Sequence, residues 1–269
     1  MKTGKQAIMK DAHLRGFART SQTINGIRTE LLEIGDGPPL VFLHGTGTFT
    51  GFEMARQWAA SHRVIIPFHP NFGLSADSPD YDGIEDYVLH YLDLFDSLGL
   101  GAIDLVGFSL GGWIAAELAL CQPARVSRLV LVAPAGLVDP QAPAPNLFAL
   151  EPQEMPAYLA HDPARILPYL PSGPDPVFEA ALGREMGTAQ RIVGDDIQGN
   201  PLLSRWLHRL TMPVLLLWGA EDRLRPTAQA QSWADRLPDA RTHLVAATGH
   251  LVFEETPEAA RVVTDFLGD

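Results

Sequence analysis

The chain has 269 residues, 46% of them hydrophobic and 19% charged, which is enough apolar surface for a large core and argues against wholesale disorder. Its 20 Lys plus Arg stand against 32 Asp plus Glu, and the resulting formal charge of −12 repels phosphate backbones and anionic membrane surfaces, so no nucleic-acid partner is expected. The single cysteine, Cys121, excludes an intramolecular disulfide, which fits a reducing compartment, and its setting in Leu118-Ala119-Leu120-Cys121 predicts a small buried core residue.

Lys2, Lys5, Lys10, Asp11 and Arg15 interrupt the start of the chain, leaving no apolar run of export-signal length. Nor does any later run reach the roughly 20 apolar residues needed to span a bilayer, so a soluble cytoplasmic protein with no membrane partner is expected. From Gln22 to Ile34 the pattern reads as an antiparallel hairpin about Asn25-Gly26, placed at a sheet edge. Short runs rich in branched residues then recur at Leu40–Leu43, Val64–Ile66, Ile103–Val106, Leu129–Val132 and Val214–Leu217, as buried parallel strands require. Helical spacing over Ile84–Leu98, Leu110–Leu120 and Thr227–Leu237 alternates with them. Thr256-Pro257 then sets an N-cap and first-turn proline for a closing helix that carries Ala260, Val263, Phe266 and Leu267. This alternation predicts an α/β fold, a mainly parallel twisted sheet of about eight strands with helices on both faces.

Between Val138 and Arg205 the alternation breaks, and prolines from Pro140 to Pro176 punctuate short apolar pieces. Prolines at that density oppose long helices and central strands. A structureless excursion of this length is improbable in a compact domain, so a small lid of short helices is expected. The predicted organisation is a core domain formed by 1–137 and 206–269, with an inserted proline-rich cap over 138–205.

The chemistry concentrates in Leu105-Val106-Gly107-Phe108-Ser109-Leu110-Gly111-Gly112-Trp113, where a buried strand passes through Gly-x-Ser-x-Gly into a helix. Such a strained turn projects a nucleophile above the sheet, and the N–H of Leu110 at the helix start is available to a developing oxyanion. A serine hydroxyl needs a base, and His250, in Ala247-Thr248-Gly249-His250 after the last strand-like run (His243–Ala246), occupies a strand's C-terminal end. His243 inside that run reads as structural, and His44, in His44-Gly45-Thr46-Gly47, reads as a loop organiser. The histidine needs a carboxylate, and Asp222, beyond the strand at Val214–Leu217, fits best, with Glu221 and Asp139 as rivals.

Together, His44-Gly45-Thr46-Gly47, Asn71-Phe72-Gly73-Leu74-Ser75, Gly107–Gly111, the Asp222 loop and Gly249-His250 resemble the α/β-hydrolase superfamily over most of the chain. The order Ser109, Asp222, His250 is the family order, and the proline-rich segment falls where relatives insert a cap. The resemblance implies an α/β-hydrolase fold and a second oxyanion donor, the backbone N–H of Thr46, acting with Leu110. One departure is Pro67-Phe68-His69-Pro70-Asn71, in which His69 and Pro70 replace the usual acidic and arginine-like positions. The leading expectation is hydrolysis of a small ester or lactone through an acyl-enzyme, because serine at the elbow argues against the aspartate-dependent haloalkane dehalogenases and epoxide hydrolases. Alternatives on the same residues are carbon–carbon bond hydrolysis of a vinylogous diketone, with Arg184, Arg191 or Arg205 holding a substrate carboxylate, perhydrolase or acyltransferase chemistry, and a slow-turnover ligand receptor. Phe49, Trp113, Phe148 and Trp206 are the predicted pocket walls, with Phe52, Tyr158 and Tyr169 as further aromatic possibilities. No metal-ligand spacing or nucleotide fingerprint occurs, so a cofactor-free enzyme acting on a small-molecule substrate is expected; the sequence carries no signal for oligomeric state.

Overall fold

The computed structural model describes residues 8–194 and 199–268; the opening charges Lys2 and Lys5 lie outside them. In chain order it contains α1 (Asp11–Leu14), β1 (Ala18–Ile24), β2 (Ile27–Ile34), β3 (Pro39–Leu43), α2 (Ala55–Trp58), β4 (Arg63–Pro67), α3 (Ile84–Ser97), β5 (Ile103–Phe108), α4 (Leu110–Cys121), β6 (Val126–Val132) and β7 (Gly136–Leu137). There follow α5 (Met155–Leu159), α6 (Pro176–Val193), β8 (Gly199–Asn200), α7 (Leu203–Trp206), β9 (Val214–Gly219), α8 (Thr227–Ala234), β10 (Ala240–Val245), α9 (Val252–Glu255) and α10 (Ala259–Gly268).

Eight strands form one sheet in the order β1-β2-β4-β3-β5-β6-β9-β10, and β7 pairs with β8 in a separate two-stranded piece. The edge hairpin is antiparallel, closed by Asn25 and Gly26 at φ 49° and 81°, the positive values that a two-residue turn matched to strand twist demands. From β4 to β10 the pairings are parallel. Side-chain alternation then divides the core into two layers. Val41, Leu43, Leu105, Leu129, Leu131, Leu216 and Trp218 face one side with α3, α4 and α8, while Leu40, Phe42, Val106, Val130, Val132, Leu215 and Leu217 face the other with α2 and α10. Each fully buried large apolar side chain contributes about 1.5–3 kcal/mol, so both layers are strong and the sheet between them is a rigid platform.

Three sequence expectations need correction. Cys121 ends α4 and is exposed, because the last turn of that helix runs out of the core. The proline-rich segment does contain a long helix, the 18-residue α6: its Pro176 stands in the first turn, where the missing N–H costs nothing, and Pro-free sequence follows. The closing helix begins at Ala259, later than Thr256-Pro257 suggested, since Thr256 and Pro257 instead accept from the N–H groups of Ala259 and Ala260 in a preceding turn. Among the described residues, no helix is long and apolar enough to cross a membrane.

Candidate active site

β5 delivers Ser109 into a tight turn before α4, and the serine takes φ 52° and ψ −114°, a strained conformation for a residue with a side chain. Backbone bonds fix it there: Ser109 N–H donates to the Val132 carbonyl (3.0 Å), and the Ser109 carbonyl accepts from the N–H groups of Gly112, Trp113 and Ala135. The flanking glycines are dictated by close approach. A Cβ at Gly107 would run into the Gly111 carbonyl, and one at Gly111 into the Leu43 carbonyl. Leu110 opens α4, where the backbone N–H has no intrahelical acceptor.

The partners come from the next strands of the sheet. Parallel pairing sets Val245 of β10 beside Gly219 of β9, so the loops that follow start level with each other. Ala220 N–H donates to the Val245 carbonyl and Glu221 N–H to the Thr248 carbonyl, both at 2.9 Å, which brings Asp222 under His250. His250 Nδ1 lies 2.8 Å from Asp222 Oδ2, and its Nε2 lies 3.1 Å from Ser109 Oγ. Asp222 Oδ1 accepts from the N–H groups of Leu224 (2.8 Å) and Arg225 (2.7 Å), so its other oxygen is aimed at the imidazole. All three side chains are at least nine-tenths buried, and the Phe108 ring, 5.0 Å from the imidazole between centroids, covers it. Because a carboxylate only accepts, Nδ1 carries the proton and Nε2 is free to accept from the serine hydroxyl. The rivals for the acid are elsewhere: Glu221 is exposed, and Asp139 accepts from Ser232 Oγ and Gln141 N–H.

The loop after β3 reaches over the serine; a Cβ on Gly45 would stand 3.3 Å from Ser109 Cβ. His44 organises this loop. His69 N–H donates to His44 Nε2 (3.1 Å), which leaves the His44 proton on Nδ1 for donation to the Gly45 carbonyl (2.7 Å). His69 Nε2 in turn donates to the His44 carbonyl (2.8 Å), and its Nδ1 meets Tyr91 Oη. Burial drives His44 down to about 4 and His69 well below the ordinary imidazole value, with the neighbouring His44 lowering His69 further, so both are neutral scaffolding at neutral pH. The unusual His69 is thus the partner of His44.

Above Ser109 lies a cavity of about 240 Å³ that also meets Thr46, Phe49, Phe108, Leu224 and His250. The segment 138–205 supplies most of its wall, through Leu147, Met155, Leu159, Ile166, Leu182 and Met186. Of the four predicted walls, Phe49 lines it and the other three do not. Trp113 is packed in the α3–α4 core layer, with its indole N–H on Glu117 (3.2 Å). Phe148 packs against that same layer, and Trp206 is half exposed on the surface. Of the further aromatics, Phe52 belongs to the opposite core layer, and Tyr169 and Tyr158 are not among the lining residues. Aromatic size misled here, because the wall is largely Leu, Met and Ile side chains that look like ordinary core. Only Thr46, Ser109 and His250 among the lining residues carry polar side chains.

Two buried carboxylates that the sequence reading passed over tie that covering segment to the reactive loops. Glu185 of α6 accepts from Thr48 N–H (3.0 Å), Thr48 Oγ1 (2.9 Å) and Gly73 N–H (2.8 Å). Glu255 of α9 accepts from Gly249 N–H (2.6 Å), His161 N–H (3.0 Å) and Asp162 N–H (2.8 Å). Among the described residues, no group of three or more His, Cys, Asp or Glu is arranged to hold a metal ion.

The pattern of the alpha/beta hydrolase family matches residues 40–262. The 2-hydroxymuconate semialdehyde hydrolase of Pseudomonas sp. (strain CF600) is 31% identical over 270 residues, covering 91% of this chain and 92% of that protein. The pimeloyl-[acyl-carrier protein] methyl ester esterase of Nitrosomonas europaea is 30% identical over 248 residues, covering 83% and 93%. Among solved structures, a meta-cleavage product hydrolase from Pseudomonas fluorescens IP01 superposes with a TM-score of 0.76 at 21% identity, covering 93% of this chain and 97% of that one, a likeness of fold.

Proposed function

Because the chain belongs to the α/β-hydrolase family, we propose that it is a serine esterase that cleaves small neutral carboxylic esters or lactones with an apolar acyl part. The observation that carries this reading is the cavity above Ser109, whose lining residues include no Lys, Arg, Asp or Glu. An anionic acyl group seated there would be desolvated without a countercharge, a strongly unfavourable state, whereas an alkyl group would exchange water for Leu, Met and Phe surface.

In this reading His250 Nε2 takes the proton of Ser109 Oγ as that oxygen bonds to the ester carbonyl carbon. The carbonyl π electrons move onto oxygen, and the N–H groups of Thr46 and Leu110 donate to the resulting oxyanion. Collapse of the tetrahedral species expels the alcohol, which takes the proton from His250 and leaves Ser109 acylated. Water, deprotonated by His250, then attacks the acyl carbon, and the acid departs with Ser109 restored. Asp222 holds the imidazole tautomer and faces the imidazolium that forms at each proton transfer. The segment 138–205 acts as the cap that sets acyl size, over a core formed by the rest of the chain.

The second reading, carbon–carbon bond hydrolysis, is favoured by the similarity to a 2-hydroxymuconate semialdehyde hydrolase. The arginines such a site would use are otherwise engaged or remote. Arg184 donates to the Asn71 and Gly73 carbonyls, Arg191 to the Gly187 carbonyl and Thr188 Oγ1, and Arg205 is exposed. The discriminating experiment compares kcat/KM for p-nitrophenyl butyrate with that for a 2-hydroxy-6-oxo-dienoate. The ester-hydrolase reading expects the neutral ester to be preferred by more than tenfold, and the reverse preference would establish carbon–carbon cleavage.

A further inference from the structure

We propose that Glu185 is a positioning residue for the oxyanion loop, holding the Thr46 peptide in register from the cap side; the inference rests on the ester-hydrolase reading above. The loop from His44 to Thr48 is pinned at both ends. At its start, His69 fixes the His44 imidazole and carbonyl, and His44 fixes the Gly45 carbonyl. At its end, Glu185 takes both the N–H and the hydroxyl of Thr48. Thr46 lies between the two clamps and faces the cavity beside Ser109.

A buried carboxylate is a poor device for merely docking a helix onto a sheet, because its desolvation opposes burial and a leucine would do the same with none of that cost. What a carboxylate adds is direction. It accepts from particular peptide N–H groups and so sets the planes of those peptides, and one of them, at Thr48, lies two residues from the proposed oxyanion donor. Glu185 is fully buried, and burial pushes its carboxyl pKa up against the pull of the Gly73 and Thr48 donors. The same helix reinforces the arrangement through Arg184, which donates to the Asn71 and Gly73 carbonyls (3.3 and 3.1 Å). Leu182 and Met186, three residues before and one after Glu185, line the cavity, so one helix both shapes the acyl site and holds the loop that would stabilise the oxyanion.

The test compares Glu185→Gln and Glu185→Ala with Asp175→Ala, which removes the cap of the same helix (Asp175 accepts from the N–H groups of Val177 and Phe178) without touching the loop. The readouts are kcat and KM for p-nitrophenyl butyrate, melting temperature, and affinity for an alkyl trifluoromethyl ketone. That ketone is attacked by Ser109 Oγ, whose proton passes to His250, and its carbonyl oxygen becomes an oxyanion. For Glu185→Gln the expected result is a fall in kcat on the order of tenfold to a hundredfold, with KM within about twofold and ketone affinity falling in parallel. Glu185→Ala should lose more, since glutamine still offers one acceptor. Asp175→Ala should melt at lower temperature with kcat intact. If Glu185→Gln lowers the melting temperature while kcat and ketone affinity stay at wild-type values, Glu185 is a structural tie and the proposal fails. If the wild-type protein neither turns over the ester nor binds the ketone, the ester-hydrolase reading itself fails.

Discussion

The rim of the sheet and the segment that covers it are held by different means. At the rim, Ser109, Asp222 and His250 follow β5, β9 and β10, and their positions are set by strand register and by backbone hydrogen bonds between the ends of neighbouring strands. The covering segment, 138–205, contains short turns and the helices α5 and α6, and it meets the loops beside Ser109 and His250 through Glu185, Glu255 and an apolar cluster built on Ile166, Ala181 and Phe49. The contrast teaches that the proposed reacting groups belong to the rigid platform, while most of the cavity wall comes from the segment that covers it. Substitutions at the rim should therefore change chemistry, and substitutions in the cover should change selectivity and stability, apart from Glu185, which reaches from the cover to the loop of Thr46 and Thr48.

The largest expected effect is at the rim. Asp222→Asn removes the charge that fixes the His250 tautomer, and kcat should fall about ten-thousandfold with little change in KM, as steady-state kinetics on a p-nitrophenyl ester will read. Acid provides a second way to break the rim. His44, at about 4, and His69 are depressed by burial below the value they regain on unfolding, so the unfolded chain binds more protons as pH falls. Their contribution to stability is complete above about pH 6.5 and is lost as pH falls toward 4, on the order of 3 kcal/mol for His44 alone. Denaturant titrations across that window should show the loss, and a His44→Gln protein should show a shallower one.

The cover should respond differently. Leu182→Trp fills the cavity from its wall, so kcat/KM for hexanoate and longer esters should fall by about tenfold or more while acetate is spared. An equal loss for every chain length would place Leu182 in the chemistry and blur the distinction between the two regions. The smallest effect is Asp175→Ala, where loss of the α6 cap should cost about 1 kcal/mol in thermal unfolding.

The same contrast explains what could be read from the sequence. Buried parallel strands are short, nearly continuous apolar runs, so Leu40–Leu43 and Val214–Leu217 announce themselves, and the Gly-x-Ser-x-Gly turn requires glycines that sequence displays directly. Asn25-Gly26 marked the hairpin for the same reason: its backbone angles restrict residue choice. In the cover the ties to the rest of the chain are not local. Glu185 meets Thr48 across 137 residues, and nothing near either residue signals the pairing. His69 was visible as a departure from family pattern, yet its partnership with His44 depends on β3 and β4 lying side by side. Leu182 and Met186 are indistinguishable in sequence from core residues, whereas the conspicuous Trp113 is core in fact.

The central claim is that Ser109 is the nucleophile of an esterase, and the most direct test is to trap it. The protein and its Ser109→Ala variant are each exposed to a fluorophosphonate, the adduct is located by peptide mass spectrometry, and p-nitrophenyl ester turnover is followed in parallel. The account predicts a single adduct on Ser109, with labelling and turnover lost together in a variant that retains wild-type melting behaviour. A folded wild-type protein that turns over esters with Ser109 unlabelled, or a Ser109→Ala protein that keeps its activity, would contradict it.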